Sequence, residues 1–443
     1  MKFSFSALLL SMGLLAAPGA AQATTAADIQ SFTLDNGMKI MVLEDGSIPN
    51  ANMYLFWKVG SRNEVPGITG ISHFFEHMMF NGSKKYGPKM FDRTMEAAGG
   101  ANNAYTTEDM TVYTDWFPAN ALETMFDLEA DRIANLDINQ TMVDSERGVV
   151  ASERTTGLEN SNWRTLQEEL KGVAFRAHPY SWPVIGHESD IAAWTLDDLV
   201  QYHKTYYAPN NAVMVVSGDV KFDEVKRLAD KYLAPIPPQA PPARVRTVEP
   251  QQKGERRVFV QKASVSTPNV MLAYHVPASS NADYYALDLL SAILSQGKSS
   301  RLYRGLVDKQ VALEAEAYLP MSLDPNLFYI MGVASPGVAA TKLEQALLTQ
   351  IKAIARDGVT KDELEKVKNI KLMEFYHAME TINGKANTLG TYELYFGSYD
   401  KLFNAPKAYN QLTPADIQRV AQTYLTKANR TVAVLAATEE ADL

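Results

Sequence analysis

The chain contains no cysteine in 443 residues. That excludes disulfides, thiolate metal sites and a lipid-anchored N-terminal Cys. Histidine is scarce, with seven in the whole chain, and no arginine precedes Arg62. A start so poor in arginine argues against a mitochondrial presequence. Positive charge is also short, since 42 Lys and Arg face 51 Asp and Glu, for a net charge of −9. This balance disfavours nucleic acid and anionic membrane surfaces as partners. Beyond the N-terminal segment no apolar run is long enough to span a bilayer.

What remains is ordinary globular material, 46% hydrophobic and 21% charged, in a length that suggests two to three domains. Residues 1–23 hold one Lys, an apolar run and Ala21-Gln22-Ala23. That is the form of a signal peptide cleaved after Ala23, so a mature chain from Thr24 is expected in a periplasm. The run 232–257 is rich in Pro and then polar, and marks a linker over 236–255. It separates an N-terminal domain, 24–235, from a C-terminal domain, 256–443.

The two parts resemble each other. At a constant offset of 218 residues, Thr195, Asp198, Thr205, Tyr206 and Asn211 meet Thr413, Asp416, Thr423, Tyr424 and Asn429. Each segment reads as a helix followed by an apolar strand, and each part opens with strand-like runs before turning helical. The expected fold class is therefore α+β, with a mixed sheet and helices in each of two homologous domains.

The segment "GISHFFEHMMFNGS", 70–83, places His73, Glu76 and His77 at i, i+3 and i+4. In a helix these share one face. Two imidazoles four residues apart can grip one Zn²⁺, and a catalytic ion needs a third protein ligand and an open position for water. Glu76 between them is placed to take a proton from that water. Two histidines on an amphipathic helix can also be plain surface or core residues. Against that, the second copy has Ser291, Leu294 and Ser295 at the equivalent positions. It repeats the pattern and lacks the chemistry. The third ligand is sought in "DSERGVVASERTT", 144–156, where Glu146 and Glu153 lie two helical turns apart on one face.

H-x-x-E-H is the signature of the inverzincins, and the chain resembles the pitrilysin and insulin-degrading-enzyme family, which includes the mitochondrial processing peptidase. The family pairs this motif with a Glu some seventy-five residues on, in an "ERxVVxxE"-like stretch; here "ERGVVASE" puts Glu153 76 residues after His77. The resemblance implies Glu153 as third ligand and Glu146 as the outer carboxylate that supports the site. It also implies a zinc endopeptidase whose two halves enclose a chamber, although the same ligands accept manganese or cobalt. Within "GGANNAYTTEDMTVYTDWFP", 99–118, it places Asn103, Ala104 and Tyr105 on an exposed edge strand that binds extended peptide substrates. "HPYSWPVIG", 178–186, reads as structural.

One departure stands out. Active members carry, in the second half, an Arg followed seven residues later by a Tyr that reach the substrate. Aligned through Ser299, Ser300, Arg301 and Leu302, this chain has Val307 and Glu314 at those positions. Arg301, Arg304 and Tyr318 give no seven-residue pair. The resemblance thus implies the zinc-bearing subunit of a heterodimer whose homologous partner supplies the pair, or otherwise a homodimer. The alternatives are a non-catalytic assembly subunit and a peptide-binding module of the same fold.

Overall fold

The computed structural model describes residues 24–437, and the expected signal peptide, 1–23, lies outside them. The first half runs β1 (Ile29–Thr33), β2 (Lys39–Glu44), β3 (Asn50–Trp57), α1 (Ile71–Met78), α2 (Met90–Ala97), β4 (Ala101–Thr106), β5 (Thr111–Pro118) and α3 (Leu122–Asn135). It continues through α4 (Gln140–Asn160), α5 (Asn162–Ala174), α6 (Glu188–Ala193), α7 (Leu196–Tyr206), β6 (Ala212–Gly218) and α8 (Phe222–Tyr232). The second half runs β7 (Arg256–Gln261), β8 (Asn269–Val276), α9 (Tyr284–Ser295), β9 (Ala312–Tyr318), β10 (Asn326–Ala334) and α10 (Ala340–Asp357). It ends with α11 (Lys361–Ala378), α12 (Ile382–Phe396), α13 (Asp400–Gln411), α14 (Pro414–Tyr424) and β11 (Arg430–Ala436).

Two mixed sheets form, ordered β1-β2-β6-β3-β5-β4 and β7-β11-β8-β10-β9. Apart from the extra strand β1 the orders match, and in each the one parallel pair stands at the same place, β2 with β6 and β7 with β11. The fold is thus a duplicated α+β unit. The repeated residues have repeated tasks. Thr195 with Asp198 and Thr413 with Asp416 form capping boxes that start α7 and α14. Asn211 donates to the Tyr206 and Lys58 carbonyls, and Asn429 donates to the Tyr424 and His275 carbonyls. Each Asn ties the end of its helix to the neighbouring strand, which satisfies carbonyls a helix end leaves unpaired.

Strands β3 and β6 are buried on both faces, because each sheet is covered twice. One face packs on helices of its own half. The other is covered by the opposite half. Leu166, Leu170 and Ala174 of α5 pack on Met271, Ala273, Ala433 and Leu435 of the second sheet. In return Ala386, Leu389 and Tyr392 of α12 pack on Met41, Phe56, Val213 and Val215 of the first. Fully burying one leucine-sized side chain in such a contact is worth roughly 1.5–3 kcal/mol, so the exchanged helices clasp the halves firmly. A Cβ at Gly390 would stand only 2.0 Å from Phe56 Cε2, and glycine there lets α12 lie close to β3. Between α8 and β7 no helix or strand forms. Glu249 in this stretch accepts the backbone N–H groups of Arg176, Ala177 and His178 at 2.9–3.0 Å.

Candidate metal centre

The sequence around 71–78 makes an amphipathic helix. Ile71, Phe74, Phe75 and Met78 of α1 are buried in the core, which turns His73, Glu76 and His77 to the opposite face. The start of the helix is fixed by the buried Glu64, whose two oxygens accept the N–H groups of Gly70 and Ser72, both at 2.8 Å. Burial pushes the Glu64 carboxyl up to about 8, against the backbone bonds that lower it. Segment 178–186 braces the same loop, with Trp182 Nε1 donating to the Ser61 carbonyl at 2.9 Å. The Tyr113 hydroxyl donates to the Phe75 carbonyl at 3.0 Å and holds the helix on β5.

Helix α4 runs beside α1 and brings in both glutamates. Glu153 Oε2 lies 3.5 Å from His77 Nε2 and 3.8 Å from His73 Nε2. One ligand atom from each of His73, His77 and Glu153 falls within 4.8 Å of the others. Tetrahedral ligands at ordinary zinc bond lengths stand roughly 3.3–3.6 Å apart, so this donor set fits zinc with small adjustments. Burial holds the His73 imidazole down to about 4, which leaves it neutral and ready to ligate. His77 behaves oppositely. Burial lowers it, but its bonds to Glu146 and then Glu153 prevail and lift it to about 9 in the metal-free chain.

Glu146 stands one layer back. Its Oε1 accepts from His77 Nδ1 at 2.8 Å, and its Oε2 accepts from Asn81 Nδ2 at 2.9 Å. The first bond fixes the proton on Nδ1 and aims Nε2 at Glu153. The His77 bond, aided by Asn81, keeps the Glu146 carboxyl below the usual range. His73 has no matching support, since its buried Nδ1 lacks a hydrogen-bond partner among the described residues.

Glu76 is aimed from the same face. Burial raises its carboxyl above the usual value, although the Thr106 hydroxyl donates to its Oε2 at 2.6 Å. Thr106 ends β4, whose only strand neighbour among the described residues is β5. Asn103 and Ala104 of this edge strand line a cleft of about 250 Å³ with Glu76, His77 and Glu146. Tyr105 points elsewhere, its hydroxyl donating to Asn387 of α12 at 3.1 Å. Sequence reasoning missed Thr106 and Asn81. Asn81 lies four residues after His77, a spacing that could have marked it; nothing local marks Thr106.

Val307 closes a π-helical turn, Tyr303–Val307, and Glu314 lies exposed on β9, lining a cleft with Asn160, Ser161 and Trp163. The nearby Arg and Tyr are already engaged. Arg301 binds both oxygens of Glu363, at 2.7 and 2.9 Å. Tyr318 stacks on Tyr329 and accepts from Gln167.

The model of the insulinase family, peptidase family M16, matches residues 39–188, and that of the peptidase M16 inactive domain matches 193–371. The metal-centre residues fall within the first span, and the second covers the copy that lacks them. The zinc protease PqqE of Helicobacter pylori is 32% identical over 416 residues, 92% of this chain and 92% of that protein. The uncharacterized zinc protease YmxG of Bacillus subtilis is 25% identical over 396 residues, 88% of this chain and 94% of its own. The crystal structure of a protease from Helicobacter pylori superposes with a TM-score of 0.89 at 31% identity, over 92% of this chain and 99% of that one. The periplasmic protease PqqL from Escherichia coli shares the fold, with a TM-score of 0.78 at 21% identity. That match spans 94% of this chain and 48% of PqqL.

Proposed function

The chain belongs to the insulinase family of peptidases, M16, and on that premise we propose that it is a zinc endopeptidase acting on extended or unfolded peptides in a periplasm. The observation that carries this reading is the convergence of His73, His77 and Glu153 with the carboxylate of Glu76 beside them. The two imidazoles and Glu153 would hold the ion. Bound zinc supplies Lewis acidity, which acidifies a water and polarises a peptide carbonyl. Glu76, whose carboxyl burial raises above its usual value, accepts the proton of the attacking water and hands it to the departing amine. Thr106 holds one Glu76 oxygen and leaves the other for that proton. Glu146 keeps His77 in the right tautomer. The edge of β4 offers backbone groups to a peptide added as a further strand. Asn103 and Ala104 flank it, and Tyr105 ties the strand to the second half.

Three observations support a homologous partner subunit. Val307 and Glu314 offer neither an Arg nor a Tyr to the substrate. The Glu153 side chain is 41% exposed, so the metal face is open within one chain. Because α5 and α12 already clasp the two halves together, a chamber over the metal would close against a second chain. In fold this chain matches the first half of PqqL, over 94% of that half. The test is to measure peptide cleavage by the purified chain alone and with a homologous chain that carries the Arg/Tyr pair. Weak cleavage alone, restored by the partner, is expected; full activity alone with no gain overturns the heterodimer. Export is tested by cell fractionation, with the mature N-terminus expected at Thr24.

A further inference from the structure

Beside the metal ligands lies a second cavity, of about 280 Å³, which His73 and Glu153 border on one side and Arg164, Gln167 and Lys171 on the other. Its charges are mostly matched internally. Arg154 binds both oxygens of Glu168, at 2.6 and 3.2 Å. Lys171 binds Glu108 at 2.5 Å. Gln167 donates to the Tyr318 hydroxyl at 2.8 Å. Arg164 is the exception. Its backbone N–H caps α5 through Ser161, while its guanidinium makes no hydrogen bond or ion pair among the described residues and the carboxylate that feels its charge is Glu153, which it helps hold down.

The position of that guanidinium is specific. A Cβ at Gly157 would stand 2.6 Å from Arg164 Nη1, so the exposed guanidinium tip rests against α4 at that glycine. Gly157 is four residues after Glu153 and therefore one turn further along the same face. The guanidinium thus meets α4 about one helical turn beyond Glu153, roughly 6 Å along the helix axis. A peptide advances roughly 3.4 Å per residue, so that distance is covered within two residues of the cleaved bond.

We infer that this cavity is a subsite for an anionic group of the substrate, an Asp or Glu side chain or a terminal carboxylate, with Arg164 as its charge partner. The inference rests on the endopeptidase reading of the neighbouring centre. With Glu153 committed to the ion, the unmatched charge left in the cavity is positive. A guanidinium pairs well with a carboxylate through two parallel N–H bonds. Arg164 is exposed and its side chain makes no hydrogen bond or ion pair among the described residues, so replacing it breaks none that the fold depends on.

The test uses zinc-loaded full chain carrying Glu76→Gln, which binds peptides without cutting them. Short labelled peptides carry a single Glu at successive positions in a neutral, C-terminally amidated sequence, with Gln at the same position as reference. One further peptide has a free terminal carboxylate. Fluorescence anisotropy is expected to show tighter binding by about 3- to 10-fold, the scale of one charge-assisted pair, for Glu at one position or for the free terminus. The arm that gains identifies the source of the carboxylate. Arg164→Gln should abolish the gain, and Arg164→Glu should transfer it to a Lys peptide. Equal binding of Glu and Gln peptides at every position, or a gain that survives Arg164→Gln, overturns the subsite. If peptides bind with that preference while the unsubstituted chain, alone and with partner, cuts none, the subsite stands and the endopeptidase reading falls.

Discussion

Replacing Glu146 by Gln separates two effects that the metal centre combines. In the wild-type chain one carboxylate oxygen faces His77 Nδ1 at 2.8 Å and the other faces Asn81 Nδ2 at 2.9 Å. A Gln oxygen can serve His77, but its NH₂ then meets the Asn81 NH₂, and the negative charge is gone. Losing such an outer carboxylate costs about 10- to 100-fold in metal affinity. Proton competition works the other way. The metal-free His77 keeps its proton up to about 9, and an ion binding at lower pH has to displace it. Apparent affinity therefore falls about tenfold per pH unit below that point, or at most roughly 100-fold at pH 7. Without Glu146, the leading cause of the rise, the imidazole returns toward its ordinary 6.5 and the competition shrinks. Near pH 7 the two proteins should therefore bind zinc within about tenfold of each other. Near pH 9.5 the variant should be weaker by about 10- to 100-fold. Its affinity should also level off at a lower pH than wild type. Titration against a chromophoric chelator across that range reads all three. Parallel curves with the same plateau would refute the coupling of Glu146 to the His77 proton.

His77→Ala should leave well under one zinc per chain by elemental analysis, where wild type purified without chelator holds about one. In the metal-free chain the folded-state value of His77 is raised, so its contribution to stability is complete below about 6.5 and is lost as pH rises through about 9; the melting temperature of apoprotein should fall across that window. Gly390→Ala should destabilise by about 1–3 kcal/mol in denaturant titration, because overpacking against Phe56 outweighs the gain in helix propensity; an unchanged midpoint would mean that α12 shifts freely on β3.

The convergence of His73, His77 and Glu153 was legible because the spacing within each helix is local. Positions i, i+3 and i+4 share a face of any helix, and the apolar residues between them turn that face outward, as α1 does. Glu146 and Glu153 share a face of α4 for the same reason. The duplication was legible through Thr195 and Thr413, since both cap helices. What escaped the sequence was tertiary. Thr106 reaches Glu76 from a different element, and nothing near residue 106 announces that contact. The exchange of α5 and α12 between the sheets depends on which apolar face meets which, and a hydrophobic period gives no partner. Arg164 reads as a plain surface charge until the fold sets it in one cavity with His73 and Glu153.

The central claim is that Glu76 works on a water beside an ion held by His73, His77 and Glu153. The direct measurement is cleavage of an unstructured peptide by zinc-loaded Glu76→Gln, assayed alone and with partner chain, beside zinc content and circular dichroism of the same sample. Zinc and fold unchanged from wild type, with cleavage lower by about 10² or more, is the expected result. Near-normal cleavage by the Gln variant, or equal cleavage by wild type stripped of its metal, would contradict it.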